Sequence, residues 1–301
     1  MKHFIFAPEV ATALAQHLPV VALESTVITH GLPFPNNLET AKDLEAKVRL
    51  SGAIPATIAV LDGKIHIGCT SQQLLRLAQE PMEKVSLWNL PAIMAKGTSA
   101  GTTVATTAHL AHLAGIEVFA TGGIGGVHFD AFDESADLPA LARIPIVVVC
   151  AGAKSILNLH ATIERLETLG VPVIGYGTDS LPAFHTPSSP YNVAARLDTP
   201  QEIAKAHIAA RDLEMRQAIL VANPIDQGIE FSKVQAWVEA ANHEARKQMV
   251  SGKRLTPFLL SELARLSSGE TVQVNGRLLG NNARLAGEIA VALGAVRLEA
   301  I

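Results

Sequence analysis

IPIVVVCAGAKSILNL, Ile144 to Leu159, is the stretch that decides the fold. Ile146 to Ala151 are apolar and mostly β-branched, the composition of a strand buried on both faces of a parallel sheet. After Gly152-Ala153-Lys154 the spacing changes. Ile156, Leu157, Leu159, Ile163, Leu166 and Leu169 recur at helical intervals, and Gly170 is a stop signal. This reading puts Lys154 at the carboxyl end of a strand and in the first turn of a helix, where open α/β sheets bind ligands. A helix N-terminus disfavours a cation, and a semi-buried ammonium is poorly solvated. Both effects favour a nucleophilic amine. The plainer alternative is a lysine that snorkels to solvent from a βα turn.

The same alternation extends in both directions. Pro19 to Leu23 is a buried strand ending in Glu24, and Asn36 and Asn37 are candidate caps for a helix over Leu38–Leu50. Thr57 to Gly68 alternates on either side of Asp62-Gly63, the pattern of a β-hairpin. A short helix is expected over Gln72–Ala78, a short strand over Pro91–Ala95 and a helix over Gly101–Gly115. Strands follow at Ile116–Ala120, Val171–Tyr176 and Ile219–Ala222. Ser232–Met249, Thr256–Leu266 and Asn281–Leu293 carry helical patterns. The expectation is one α/β domain spanning residues 1–301, a mostly parallel sheet flanked by helices, with a small β-hairpin element.

Composition narrows the function classes. The chain has 301 residues, 49% hydrophobic, only 4% aromatic and 17% charged, enough for a full core in one large domain. A formal net charge of −4 and the lack of a basic stripe argue against nucleic acid as a main partner. No apolar stretch reaches the ~20 residues needed to cross a bilayer, and no convincing signal peptide precedes the fold. Cys69 and Cys150 sit in apolar segments and read as buried thiols, so a reducing, cytoplasmic setting is expected.

Three further groups can do chemistry. TGGIGGVH, Thr121 to His128, follows a strand, and closely spaced glycines let backbone N–H groups converge on an anion, with Thr121 and His128 as added donors. A tight turn explains the run nearly as well, but a lysine nearby favours a phosphate cradle. Asp133, Glu134 and Asp137 cluster in FDESAD; Asp133 and Asp137 can serve a divalent cation or proton transfer, with a solvated loop as the alternative. Glu24, at a strand end, is a candidate general acid or a turn cap. His30, His109 and His112 read as structural or surface residues.

ALESTVITHGLP (22–33), SGAIPATIAVLDGKIHIG (51–68), TTVA (102–105), VFATGGIGGVH (118–128), FDESADL (132–138), VVVCAGAKSILNL (147–159), ETLGVPVIGYGTDSLPAF (167–184) and LVANPI (220–225) are long, ordered strings. Together they resemble the pseudouridine-5′-phosphate glycosidases, the indigoidine-synthase-A-like family, from about Val20 to about Leu293. The resemblance implies an α/β homotrimer that uses Mn²⁺. The implied reaction is reversible cleavage of the C–C glycosidic bond of pseudouridine 5′-phosphate to uracil and ribose 5-phosphate. By position it implies Lys154 as the Schiff-base nucleophile, Glu24 as the proton donor and Asp133 as the metal ligand. Ser135, Ala136 and Asp137 then bind substrate, with Asp137 also moving protons at the ring oxygen. Lys84, Thr121 and His128 would meet the phosphate, Val104 the substrate, and Asn281 and Asn282 the base. The sequence departs from the family at HFDAF, His128 to Phe132, which is shorter than the family's usual His-Arg-Gly-Ala-Glu stretch and lacks its arginine and glutamate, and at Gly280, where an aromatic is more usual. Another Schiff-base lyase or aldolase acting on a sugar phosphate, or a non-catalytic phosphosugar-binding protein, remains as an alternative.

Overall fold

The computed structural model describes residues 2–129, 133–250 and 255–299. Its elements run β1 (Phe4–Phe6), α1 (Pro8–Ala15), β2 (Val20–Leu23), a π-turn (Val27–Gly31), α2 (Asn36–Leu50), β3 (Ile54–Leu61) and β4 (Lys64–Ile67). Then come α3 (Ser71–Gln79), β5 (Glu83–Val85), α4 (Leu90–Ala95), β6 (Ala100–Thr102), α5 (Val104–Leu113), β7 (Val118–Ala120), α6 (Asp137–Leu141) and β8 (Val147–Cys150). The chain continues with α7 (Leu159–Thr168), β9 (Val173–Tyr176), β10 (Ala195–Leu197), α8 (Pro200–Asp212) and β11 (Ile219–Ala222). It finishes with α9 (Phe231–Lys247), α10 (Leu255–Leu266) and α11 (Glu270–Glu299).

The sheet order is β1-β4-β3-β2-β7-β8-β11-β9-β10, with β6 on β3 and β5 on β6. Pairing is parallel throughout except where β3 meets β4 and β6. Val20–Leu23, Val147–Cys150 and Ile219–Ala222 are buried at every position. Such strands cannot alternate, because helices cover both faces of the sheet. The Asp62-Gly63 hairpin forms as expected; both residues have positive φ, 50° and 71°, as a type I′ turn requires. α11 is the longest helix, packing on α2, α8 and the strands β2, β7 and β8. No helix among the described residues is long and apolar enough to cross a membrane. Both thiols are free, and burial pushes each up to about 12.

Four local expectations are corrected. Pro91–Ala95 is helical, within α4, not a strand: Pro91 suits a first helical turn, where its missing N–H is not needed. Gly101 and Thr102 belong to β6, and Thr103, whose hydroxyl accepts from Thr106 N–H, starts α5 one residue later. Asn36 and Asn37 lie inside α2 rather than capping it; Asn37 Nδ2 instead donates to Ile28 O (2.8 Å) and Ala78 O (3.0 Å). Lys154 is not in a helical first turn. α7 begins at Leu159, where Asn158 Oδ1 accepts from Ala161 N–H (3.1 Å) and caps it. Ile156 and Leu157 are buried from an irregular loop, which periodicity alone reads as helix.

At the amino end of β7, Arg297 of α11 forks onto Glu117 (2.6 Å to each carboxylate oxygen), and buried His207 of α8 lies 3.4 Å from Glu117 Oε1. Burial by itself would raise the Glu117 carboxyl. The bonds and charges of His207 and Arg297 outweigh it and hold the group at about 2, against an ordinary 4.5. A carboxyl lowered by folding stabilises fully above its unfolded value and loses that contribution as pH falls toward its folded one. Glu117→Gln is therefore expected to lower stability by about 1–2 kcal/mol at neutral pH, after allowance for solvent screening. The gap to the parent should close between pH 4.5 and about 2. Thermal melts of the two proteins at pH 7, 5, 4 and 3 check this; a gap independent of pH would contradict it.

Candidate active site

Glu24, Thr121 and Asn223 immediately follow β2, β7 and β11, and Lys154 follows β8 by a short loop, so all four lie along one edge of adjacent parallel strands. A parallel sheet leaves such carboxyl ends uncapped by hairpins, which is why side chains from distant sequence positions converge there.

Two glycines make the Lys154 loop possible. Gly152 has φ +87°, and a Cβ there would lie 2.1 Å from Pro182 O. Gly125 faces the FDESAD segment so closely that a Cβ would lie 2.2 Å from Ser135 Oγ and 2.8 Å from Asp137 Oδ2. The Gly-rich turn and the lysine loop are stitched together: Ile124 N–H donates to Gly152 O (3.1 Å) and Lys154 N–H to Ile124 O (3.1 Å). Lys154 is half-buried, and among the described residues its ammonium has no hydrogen bond or ion pair. Behind it, buried Ser155 Oγ lies 2.7 Å from His185 Nδ1, and burial lowers His185 to about 4.

Buried Glu24 receives two hydroxyls, Thr121 Oγ1 on Oε1 and Thr26 Oγ1 on Oε2. Asp137, at the start of α6, is also buried; Ala105 N–H donates to its Oδ1 (2.9 Å) and Gly125 N–H to its Oδ2 (2.8 Å). It therefore clamps the Gly-rich turn to the start of α5, beside Val104. Ser135 Oγ accepts from Asp137 N–H (3.2 Å), and Ala136 is the N-cap position of α6.

Lys84, on β5, joins this group. Crowding by protein atoms lowers its ammonium below the ordinary lysine range, and the charge of Lys154 lowers it further, while Asp137 and Glu24 act in the opposite sense. The residue nonetheless remains exposed to solvent. The influence of Lys154, Asp137 and Glu24 on this one ammonium places the four residues in one neighbourhood. His30 lies at the edge of the group: crowding lowers it first and the Lys84 charge next.

In the Gly-rich turn, the N–H groups of Thr121, Ile124, Gly125 and Val127 are bonded to protein acceptors. Those of Gly122, Gly123 and Gly126 donate to no acceptor among the described residues. His128 is half-buried, and its N–H donates to Asp133 O (2.9 Å). The atypical HFDAF segment falls partly on residues 130–132, outside the described residues. Glu134 is engaged by Arg165 (3.0 Å).

The Asn281-Asn282 pair divides. Asn282 is buried and donates to Thr121 O (2.8 Å), while Asn281 lines a cleft of about 660 Å³ between α2, α11 and the loop after β11. That cleft contains neither Lys154 nor Glu24. It adjoins the chemical centre rather than forming it. Asn223, Thr26 and the Ser155–His185 pair carried no role in the sequence reading. Only Asn223 had a usable signal, as a polar residue ending an apolar strand.

Comparison with known proteins bears on what this arrangement is. The pattern of the family described as Indigoidine synthase A like protein matches residues 9–292. The chain belongs to that family. A relative from Thermus thermophilus, named pseudouridine-5′-phosphate glycosidase, is 57% identical over 275 residues, covering 91% of this chain and 98% of its own. A protein of the same name from Geobacillus kaustophilus is 49% identical over 292 residues, 95% of this chain and 97% of its own. Among solved structures, the prealnumycin C-glycosynthase AlnA in complex with ribulose 5-phosphate superposes with a TM-score of 0.92 at 38% identity, covering 99% of both chains. An indigoidine synthase A-like protein from Thermotoga maritima superposes at 0.87 and 37% identity, covering 91% of this chain and 93% of its own. This member of the indigoidine synthase A like family thus shares its fold over nearly its whole length with a protein that makes C-glycosidic bonds.

Proposed function

We propose that the protein reversibly cleaves the C–C glycosidic bond of pseudouridine 5′-phosphate, giving uracil and ribose 5-phosphate through an imine on Lys154. The observation that carries this is the pairing, at one strand edge, of a lysine with no ion-pair partner among the described residues and a buried carboxyl group, in a family whose members bear that activity in their names. Carbon has no lone pair, so protonating a leaving oxygen, as ordinary glycosidases do, is not open to this bond. Lys154 Nζ bonds to C1′ as the C1′–O4′ bond breaks, and the ring oxygen takes a proton. Glu24 delivers a proton to uracil C5. The C1′–C5 pair stays with the uracil ring, the lysine nitrogen forms a double bond to C1′, and water hydrolyses the imine to ribose 5-phosphate. Asp137 is the candidate to move the proton at the ring oxygen, but both its oxygens are held by backbone N–H groups in the free protein. That step needs one of those bonds to give way. Lys84, His128 and the unengaged N–H groups of Gly122, Gly123 and Gly126 supply donors for the phosphate, whereas the Thr121 hydroxyl expected there is committed to Glu24.

A divalent ion, Mn²⁺ in this proposal, would be held by Asp133. Its carboxylate takes part in no hydrogen bond or ion pair among the described residues, whereas Glu134 and Asp137 are committed elsewhere. One or two protein carboxylates with several waters suffice to hold such an ion. When bound, the ion supplies positive charge to orient and neutralise an anionic substrate. A homotrimer, which the family resemblance implies, completes the proposal.

One assay tests the reading: uracil release from pseudouridine 5′-phosphate and from pseudouridine, with chelator and with added Mn²⁺. Each charge-assisted phosphate contact is worth ~1.5–3 kcal/mol, so the unphosphorylated compound should be slower by orders of magnitude in kcat/KM. Chelation should lower the rate and Mn²⁺ restore it. No uracil from either compound, with ribose 5-phosphate adducts still forming on Lys154, would favour a different Schiff-base lyase.

A further inference from the structure

The hydrogen bonds behind Glu24 form a line that ends on Asn223. This residue follows β11 directly, and its own N–H donates to the carbonyl of Cys150, the last residue of β8 (2.8 Å). Its Nδ2 donates to Asn282 Oδ1 (3.0 Å). Asn282, buried in α11, donates through Nδ2 to Thr121 O (2.8 Å) and at longer range to Gly122 O (3.4 Å). Thr121 Oγ1 then donates to Glu24 Oε1.

A carboxamide has one accepting and one donating end. With Asn223 donating to the Asn282 oxygen, the Asn282 NH₂ must face the Thr121 carbonyl. An acceptor-only group at position 223 favours the opposite orientation, which sets the Asn282 oxygen against the Thr121 carbonyl oxygen. Such repulsion inside a buried network is costly to the alignment of everything downstream.

The geometry points to Asn223 as a positioning residue for the proton donor: through Asn282 and Thr121 it holds the Glu24 carboxyl at a fixed place relative to Lys154. Its backbone bond to Cys150 ties it to the strand that leads to that lysine, so one residue references both reacting groups. The inference rests on the Lys154–Glu24 reading above and adds the residue that aligns the pair. A merely structural asparagine predicts that imine formation and uracil release fall together as folded protein is lost. A positioning residue predicts that only the proton-dependent half suffers.

The test uses Asn223→Ala, the isosteric Asn223→Asp, Thr121→Val and the double variant Asn223→Ala/Thr121→Val. Each is measured for melting temperature, for Lys154 adduct trapped by borohydride from ribose 5-phosphate, and for kcat and KM of uracil release. Both single Asn223 variants should trap adduct, and keep KM, within about twofold of the parent. Their kcat should fall about tenfold or more, a portion of the ~10²–10⁴ that general acid catalysis supplies. In the Thr121→Val background, Asn223→Ala should cost less than about twofold further, because the line to Glu24 is already cut. Asn223→Asp decides the matter if the alanine variant does not fold. A parental kcat in folded Asn223→Asp, a proportional loss of adduct and kcat, or full additivity with Thr121→Val would each overturn the inference. Glu24→Gln run alongside separates the two levels. Normal uracil release from it removes the donor reading itself, whereas its failure beside parental Asn223 variants removes only the role of Asn223.

Discussion

Lys154→Ala is expected to abolish uracil release, by on the order of 10³-fold or more, while leaving the fold intact. The side chain is half-buried and has no ion pair among the described residues, so its loss opens no buried charge and should shift stability by no more than about 0.5 kcal/mol. Lys154→Arg should fail equally, since a guanidinium forms no imine and its planar fork needs a different space. Borohydride reduction with ribose 5-phosphate, followed by peptide mass analysis, should find the sugar on Lys154. Lys84 is the informative competitor. It stands in the same group of charges, and crowding together with the Lys154 charge lowers its ammonium, so it too is a plausible amine on chemical grounds. The loop geometry favours Lys154, which Gly152 and the bond to Ile124 O hold at the end of β8. An adduct on Lys84 would reverse the two roles.

Glu24→Gln should still form the Lys154 imine with ribose 5-phosphate yet release uracil ~10²–10⁴-fold more slowly, the usual worth of a positioned general acid. The substitution suits the site. Gln keeps an oxygen for the Thr121 hydroxyl, and the Thr26 hydroxyl can turn to accept from the new NH₂. The packing therefore survives while the exchangeable proton does not. A bracing role alone would predict a melting temperature lowered by a lost bond or two with near-parental uracil release. Trapping, release and melting measured on this one variant distinguish the two outcomes, and parental release would refute the catalytic role.

The legible parts of this protein are those written in contiguous residues. The Asp62-Gly63 turn and the buried strands were readable because their signals lie within a few positions of one another. Glu24, Thr121 and Lys154 were readable for the same reason, as polar residues ending or closely following apolar strands. α11 extends well beyond the 281–293 pattern, since Gly276 and Gly280 dilute its apolar stripe and tertiary contacts with α2 and α8 sustain it. Ile156 and Leu157 mimic a helical stripe from Lys154 onward because a loop, not a helix, buries them. The commitments of Asp137 to Gly125 and Ala105, and of Asn282 to Asn223 and Thr121, join segments far apart in the chain. No local pattern encodes them; they follow from how the strands are ordered.

That ordering gives α11 a particular place in time. It is synthesised after every strand it covers, and it supplies both Asn282, behind Glu24, and Arg297, on Glu117. Until it emerges, the apolar faces of β2, β7 and β8 lack their cover. A nascent chain halted before this helix would hold the lysine and the acid in sequence but lack the asparagine that braces them. Such a chain would expose a sheet face prone to aggregation during translation. Contacts of such long sequence separation also predict slow, late consolidation of the active centre.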